Sequence, residues 1–312
     1  MDLRQLSALV AIADHGSFSA AARALFTVQS NVSGHIGKLE RELGITLIDR
    51  SAGRLTEEGE RVLERARRIL NELDDIASDI ASLDSEVSGE ARVGMIGSAA
   101  NWLAPGLMEE MSRLHPQVHT VLSEGSTSAL VPNVVTGLLN AAVIHLPVEE
   151  PDLIAEPLFS EELVLLLPTG HRFSRASSVN LGDLRDTPLL MPPKGAALRR
   201  IIDRASASSG TTLRATAEID GVRLLATLAR AGHGPAIVPA TAARDLGEGA
   251  HWIGVDDLPE RVVAWVRRRR PNPSAATNAV HSVLRLVVEA HAAEQPGIHL
   301  ESSGEPQRSS TG

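Results

Sequence analysis

Residues 17–40, SFSAAARALFTVQSNVSGHIGKLE, decide the fold of the N-terminal region. They read as two short helices joined by a tight turn. Ala20, Ala21, Ala22 and Ala24 let the helices cross closely, while Leu25, Val32, Ile36 and Leu39 supply an apolar face. The outer side of the second helix carries Gln29, Ser30, Asn31, Ser33 and His35, and such a helix can lie in a major groove and read base edges. Double-stranded DNA is the first partner to consider.

Working outward, Leu3, Leu6, Val10 and Ala13 recur at helical spacing, with Gly16 where a helix stops. After Gly44, the run Ile45–Ile48 suits a strand, residues 49–54 a turn, and Leu55 begins the return. Three helices and a hairpin make a winged helix-turn-helix over 1–57. Lys38, Arg50 and Arg54 are its phosphate or wing candidates. This domain is charge-neutral: Arg4, Arg23, Lys38, Arg41, Arg50 and Arg54 balance Asp2, Asp14, Glu40, Glu42, Asp49 and Glu57. Binding must therefore come from local placement of cations and backbone N–H groups at phosphates.

Thr56 is a good N-cap, and Glu57 and Glu58 suit the positive end of the helix that follows. Val62, Ala66, Ile69, Leu73, Ile76, Ile80 and Leu83 alternate at spacings of four and three, an a/d seam over residues 58–88. A narrow apolar stripe with charged flanks predicts a partner helix, hence a homodimer. Residues 85–90 break the helix. From there to residue 293, apolar runs alternate with helical patterns, which predicts α/β architecture with mostly parallel sheet. Leu163–Leu167 and Val262–Val266 are among the strands, and the tail 294–312, rich in Gly, Ser, Pro and Gln, reads as disordered.

Whole-chain properties exclude several classes. At 312 residues the chain holds more than one domain. No apolar run approaches the roughly 20 residues of a membrane span, and no signal peptide opens the chain, so a cytoplasmic protein without a membrane partner is expected. Cysteine is absent, which excludes disulfides, thiolate metal sites and thiol redox sensing. No Gly-x-Ser-x-Gly, Walker loop or HisGluxxHis occurs, so no catalytic residue, metal or cofactor is expected. ArgArgArgArg at 267–270 reads as the exposed end of a strand, and 2% aromatic content disfavours single-strand binding.

The segments MDLRQL, GSFSAAARAL, QSNVSGHIGKLERELG, DRS and LTEEG, together with EGSTS, AEPLF, LPTGH and AGHGPAIVP, resemble a LysR-type transcriptional regulator over roughly residues 1–290. The resemblance implies a dimer or tetramer that binds DNA, regulates transcription by RNA polymerase, and carries a two-lobed domain like that of periplasmic solute-binding proteins. It implies lobe I at about 91–164 plus 267–293, and lobe II at about 168–263. The chain departs from the family at Val28, where a serine cap is usual, and at Gly34 and Gly37, where polar or basic residues are common.

Strand ends and helix N-termini make the natural effector crevice of such a fold. They select Ser98, Ala100, Asn101, Ser126, Thr127, His145, Asp220 and Val222. Hydroxyls and free N–H groups there favour a small anionic effector, a carboxylate or a sulfur oxyanion. The alternative is an architectural DNA-binding protein without ligand control.

Overall fold

The computed structural model describes residues 1–84, 86–243, 250–269 and 273–300. α1 (Leu3–His15) starts on a capping box, in which the Asp2 carboxylate accepts from the Gln5 N–H and the Gln5 amide oxygen from the Asp2 N–H, both at 2.9 Å. It stops at left-handed Gly16. α2 (Phe18–Ala24) and α3 (Gln29–Leu43) pack on it through Leu6, Leu9, Ile12, Ala21, Ala22, Val32, Ile36 and Leu39. Leu25, expected on that face, is instead exposed, because α2 ends before it.

The wing is a minimal hairpin of β1 (Ile48–Asp49) and β2 (Arg54–Leu55). The strand expected from Ile45 pairs only at its end. Its approach is held by α3, whose Glu40 carboxylate accepts from the N–H groups of Leu47 at 2.9 Å and Ile48 at 3.3 Å.

α4 (Glu57–Asp84) is capped by Thr56, whose hydroxyl accepts from the Gly59 N–H at 2.9 Å. A Cβ on Gly59 would lie 2.1 Å from the Leu47 carbonyl oxygen, so this close approach requires glycine. The seam expected along the whole helix is divided. Val62 and Ala66 pack into the core of their own DNA domain, together with Leu63, because the first turns of α4 must cover α1. Ile69, Leu73, Ile76 and Ile80 remain exposed, and the side chain of Leu83 falls outside the described residues.

The remainder forms two lobes. The first begins with β3 (Gly89–Met95), α5 (Gly97–Leu114), β4 (Val118–Glu124), α6 (Thr127–Thr136), β5 (Ala141–His145) and β6 (Leu153–Glu161). The second contains β7 (Leu163–Pro168), β8 (Ser178–Val179), β9 (Pro188–Met191), α7 (Ala197–Ser208), β10 (Arg214–Glu218), α8 (Val222–Arg230), β11 (Ala236–Pro239) and β12 (Ala250–Val255). The chain then returns through β13 (Arg261–Arg268), α9 (Ala275–His291) and β14 (Ile298–His299).

Each lobe has a six-stranded sheet, in the orders β14-β6-β13-β5-β3-β4 and β10-β9-β11-β7-β12-β8. Both are mostly parallel, as expected: four strands of the first share one direction against β13 and β14, and five of the second against β7 alone. β13 runs antiparallel to β5 and β6, and β7 antiparallel to β11 and β12. These two strands also correct the lobe limits. Residues 163 and 164, expected at the end of lobe I, open β7 in lobe II, where Leu163, Leu165 and Leu167 feed one core and Val164 and Leu166 another. Such two-sided burial belongs to an interior strand covered by helices on both faces. Residues 261–263, expected in lobe II, open β13, which buries Val263–Val266 in the core of lobe I. The tail is ordered further than expected: Ile298 is buried and β14 pairs with β6, while residues 301–312 lie outside the described residues.

The lobes meet where β6 passes to β7 and β12 to β13. There the Glu161 carboxylate, 1% exposed, accepts from Arg261 Nε at 2.8 Å and its terminal nitrogen at 2.6 Å. It also accepts from the Thr241 N–H at 3.0 Å and from the Thr241 hydroxyl. Removing one partner strands a buried charge. Arg261→Met alone should cost about 3–5 kcal/mol in urea unfolding, and adding Glu161→Leu should recover much of it.

Candidate DNA interface and effector cleft

The reading helix presents its residues unevenly. Gln29, Ser33 and Arg50 come together with Ser17, Phe18, Ser19 and Gly53 around a concavity of about 340 Å³ between α2, α3 and the hairpin. The Ser19 hydroxyl donates to the Gln29 amide oxygen at 3.2 Å, which turns the amide NH₂ away. The Arg50 guanidinium lies 5.6 Å from the Phe18 ring centroid and 4.0 Å from Glu40, so the wing cation is aimed by α2 and α3. Ser30, Lys38 and Arg54 are exposed. The Asn31 amide donates to the Thr27 hydroxyl at 2.9 Å.

His35 is half-buried, as is Ser33, and lies toward Asp2, whose carboxyl is held below the usual range chiefly by the Gln5 N–H bond. It therefore belongs to the flank nearest the start of α1. At the centre of the exposed face, Gly34 and Gly37 have nothing within 4 Å of a Cβ position, so no contact within the fold demands glycine. Val28 supplies no side-chain cap, and no acidic residue occupies the first turn of α3. Its leading N–H groups and partial positive charge are available to a phosphate.

Between the lobes lies a cleft of about 640 Å³. Four helices begin on it: α5 at Gly97 and Ser98, α6 at Thr127, α7 at Ala197, and α8 at Val222. None has an acidic residue in its first turn, and α5, α7 and α8 have no side-chain cap. The exception is α6, capped by Ser126 on the Ala129 N–H at 3.3 Å. Thr127 Oγ1 is buried without a hydrogen-bond partner. Ser98, Ser126, Thr127, His145, Asp220 and Val222 all line this cleft, as does Arg261.

Ala100 and Asn101 do not. One helical turn carries them to the outer side of α5, where they line a separate groove with Met108 and Leu122. Sequence reasoning missed Glu161, Arg261 and Thr241, whose sequence separation hides their contact. It also missed Arg223, which donates to Glu124 at 3.2 Å and bridges the lobes at the cleft. No local pattern signals these pairs. The Arg261 guanidinium extends from the Glu161 pair to the Ser98 hydroxyl at 2.5 Å.

Outside the cleft, a depression of about 860 Å³ is lined by the middle of α7 and by Asp256, Asp257 and Glu260, a set that offers an anion no helix N-terminus. Glu162, Glu260 and His299 bring three potential metal-ligand atoms within 4.8 Å of one another. All are half-exposed, and His299 already pairs with Glu162 at 3.1 Å.

His145, 6% exposed at the end of β5, is lowered from 6.5 to about 4 by burial and then by the Arg261 charge. It is neutral near pH 7 and positions a polar ring beside the arginine without adding charge. Between pH 6.5 and about 4 the unfolded chain binds a proton that the folded chain does not. Stability should therefore fall as pH drops through that window, with a slope of up to about 1.4 kcal/mol per pH unit from this residue. His145→Gln should flatten urea-unfolding stability over the same range; an unchanged slope would contradict the assignment.

Residues 84–288 match the LysR substrate binding domain, and residues 3–60 the bacterial regulatory helix-turn-helix protein of the lysR family. A hydrogen peroxide-inducible genes activator of Pectobacterium carotovorum subsp. carotovorum is 31% identical, with 77% of this chain and 80% of that one covered. A probable activator of the same description from Streptomyces viridosporus is 29% identical over 78% of each. Among solved structures, full-length OxyR of Pseudomonas aeruginosa carrying a cysteine-to-aspartate substitution superposes with TM-score 0.77 at 25% identity, covering 98% of this chain and 99% of that one. Full-length CbnR complexed with its target DNA shares the fold at TM-score 0.67 and 22% identity, covering 94% and 100%. The chain belongs to the LysR family of DNA-binding transcriptional regulators, with a helix-turn-helix domain joined to a two-lobed effector-binding domain.

Proposed function

We propose that this chain works in the cytoplasm as a homodimer, paired into a tetramer, that binds operator DNA and changes promoter access for RNA polymerase when a small anion occupies the cleft. The observation that carries the anionic effector is the convergence of four helix N-termini, three without side-chain caps, on a cleft floored by Arg261. Free N–H groups and aligned dipoles there favour negative charge. A small carboxylate or sulfur oxyanion has suitable size and charge. Several exposed apolar residues of α4, Ile69 to Ile80, support pairing through that helix.

Peroxide sensing through a thiol is not available to this chain, because it has no cysteine. Its relatives' named inducer therefore does not transfer by that chemistry. The mechanical route is short. The Asn71 amide of α4 donates to the Gly137 carbonyl and accepts from Arg92 at 3.2 Å, while Arg67 one turn earlier pairs with Asp14 of α1. The linker helix and lobe I thus form one unit, against which lobe II moves about the Glu161–Arg261 floor. An anion binding the closed arrangement better than the open one shifts that equilibrium, and with it the spacing of DNA domains.

Two experiments test this. Selection of duplexes from a random library should yield a dyad-symmetric motif, Gln29→Ala should relax its sequence preference, and Arg50→Ala should weaken all sequences while reducing the salt slope by about 1. Equal slopes for parent and Arg50→Ala would remove the phosphate role. In thermal unfolding, a panel of small carboxylates and sulfur oxyanions should include a stabilising ligand, worth about 2.7 kcal/mol at a hundredfold excess over Kd. Saturation by an uncharged analogue while every anion fails would overturn the anionic reading.

A further inference from the structure

We propose that Phe26 is an apolar DNA contact, seating its ring against the duplex beside the N-terminus of α3. This rests on the reading of the chain as a DNA-binding regulator. Among the described residues Phe26 is the one non-glycine residue at positive φ, 51°, and it is 98% exposed. An L-residue with a bulky side chain is strained there, whereas Gly or Asn fits. The fold thus gains neither burial nor backbone ease from this ring. Leu25 and Val28, both exposed, extend it into an apolar patch along the turn between α2 and α3.

Position identifies the occupant. Phe26 precedes Gln29 by three residues, a span of at most about 11 Å. In a helix-turn-helix the leading residues of the second helix contact base edges in the major groove, so the turn just before them lies beside the same groove. The turn is also fixed to both helices. The Phe26 N–H donates to the Arg23 carbonyl at 3.1 Å, the Thr27 N–H to Ala22 at 2.9 Å, and the Asn31 amide to the Thr27 hydroxyl at 2.9 Å. The backbone that carries the ring is therefore held between α2 and α3. The apolar groups a duplex offers at that depth are the thymine C5-methyl and the deoxyribose face. A contact of this kind adds affinity without displacing a counterion.

The test uses the intact protein and the duplex recovered by selection. Phe26→Asn and Phe26→Gly should keep or raise Tm, because both residues accept the left-handed backbone. They should bind about tenfold more weakly, at an unchanged slope of log affinity against log salt. Uracil for thymine at each site position then distinguishes the target: a position that weakens the parent but not the variants identifies a methyl, and none identifies the sugar. Affinity within about twofold of the parent would overturn the proposal and assign the patch to a protein partner. A lower Tm, or a flattened salt slope, would overturn it too, since the ring would then be holding the fold or the phosphate contacts. If the parent itself selects no duplex, the regulator reading fails before this inference is reached.

Discussion

The two-lobed domain is organised around the carboxylate of Glu161. It receives hydrogen bonds from Arg261 and Thr241, and through the arginine it reaches Ser98 at the start of α5. All four residues are buried at the junction of the lobes. A buried ion pair of this sort adds little net stability over an apolar replacement, but losing half of it is costly. Its effect here is to fix geometry. It sets β6 against β13, anchors the backbone at Thr241, and places a cation on the floor of the cleft onto which the helix N-termini open. His145, kept neutral by burial and by that cation, completes the floor without competing for charge.

The linker helix solves a second problem with one apolar stripe. Its first turns spend Val62, Leu63 and Ala66 on the DNA domain, and its later turns leave Ile69, Leu73, Ile76 and Ile80 exposed. Arg67 and Asn71, one turn apart, hold the DNA domain and lobe I respectively. One helix thus grips both the DNA domain and lobe I through neighbouring turns.

Much of this was legible in local patterns. The helix crossing at Ala21 and Ala22, the cap at Thr56, and the strand-helix alternation follow from short-range periodicity and capping chemistry. So did six of the eight cleft residues, because helix N-termini after strands converge in such folds. Ala100 and Asn101 line a separate groove, since a helix turns its residues away within one turn of the cleft edge. The lobe limits moved by a few residues at β7 and β13. A continuous apolar run says that a strand is buried on both faces, and nothing about which sheet takes it.

The sequence by itself determined the kinds of element and the chemistry available: a helix suited to reading base edges, an apolar stripe beyond one domain's needs, hydroxyls at helix starts, and no thiol. These depend on residue type and spacing over a few turns. Only the tertiary structure decided that Glu161 and Arg261, a hundred positions apart, share one buried bond. It also decided that Arg223 faces Glu124 between the lobes, and that Phe26 stands wholly in solvent at a strained turn. Those outcomes depend on which surfaces remain uncovered once the cores are packed, and no local pattern carries that information.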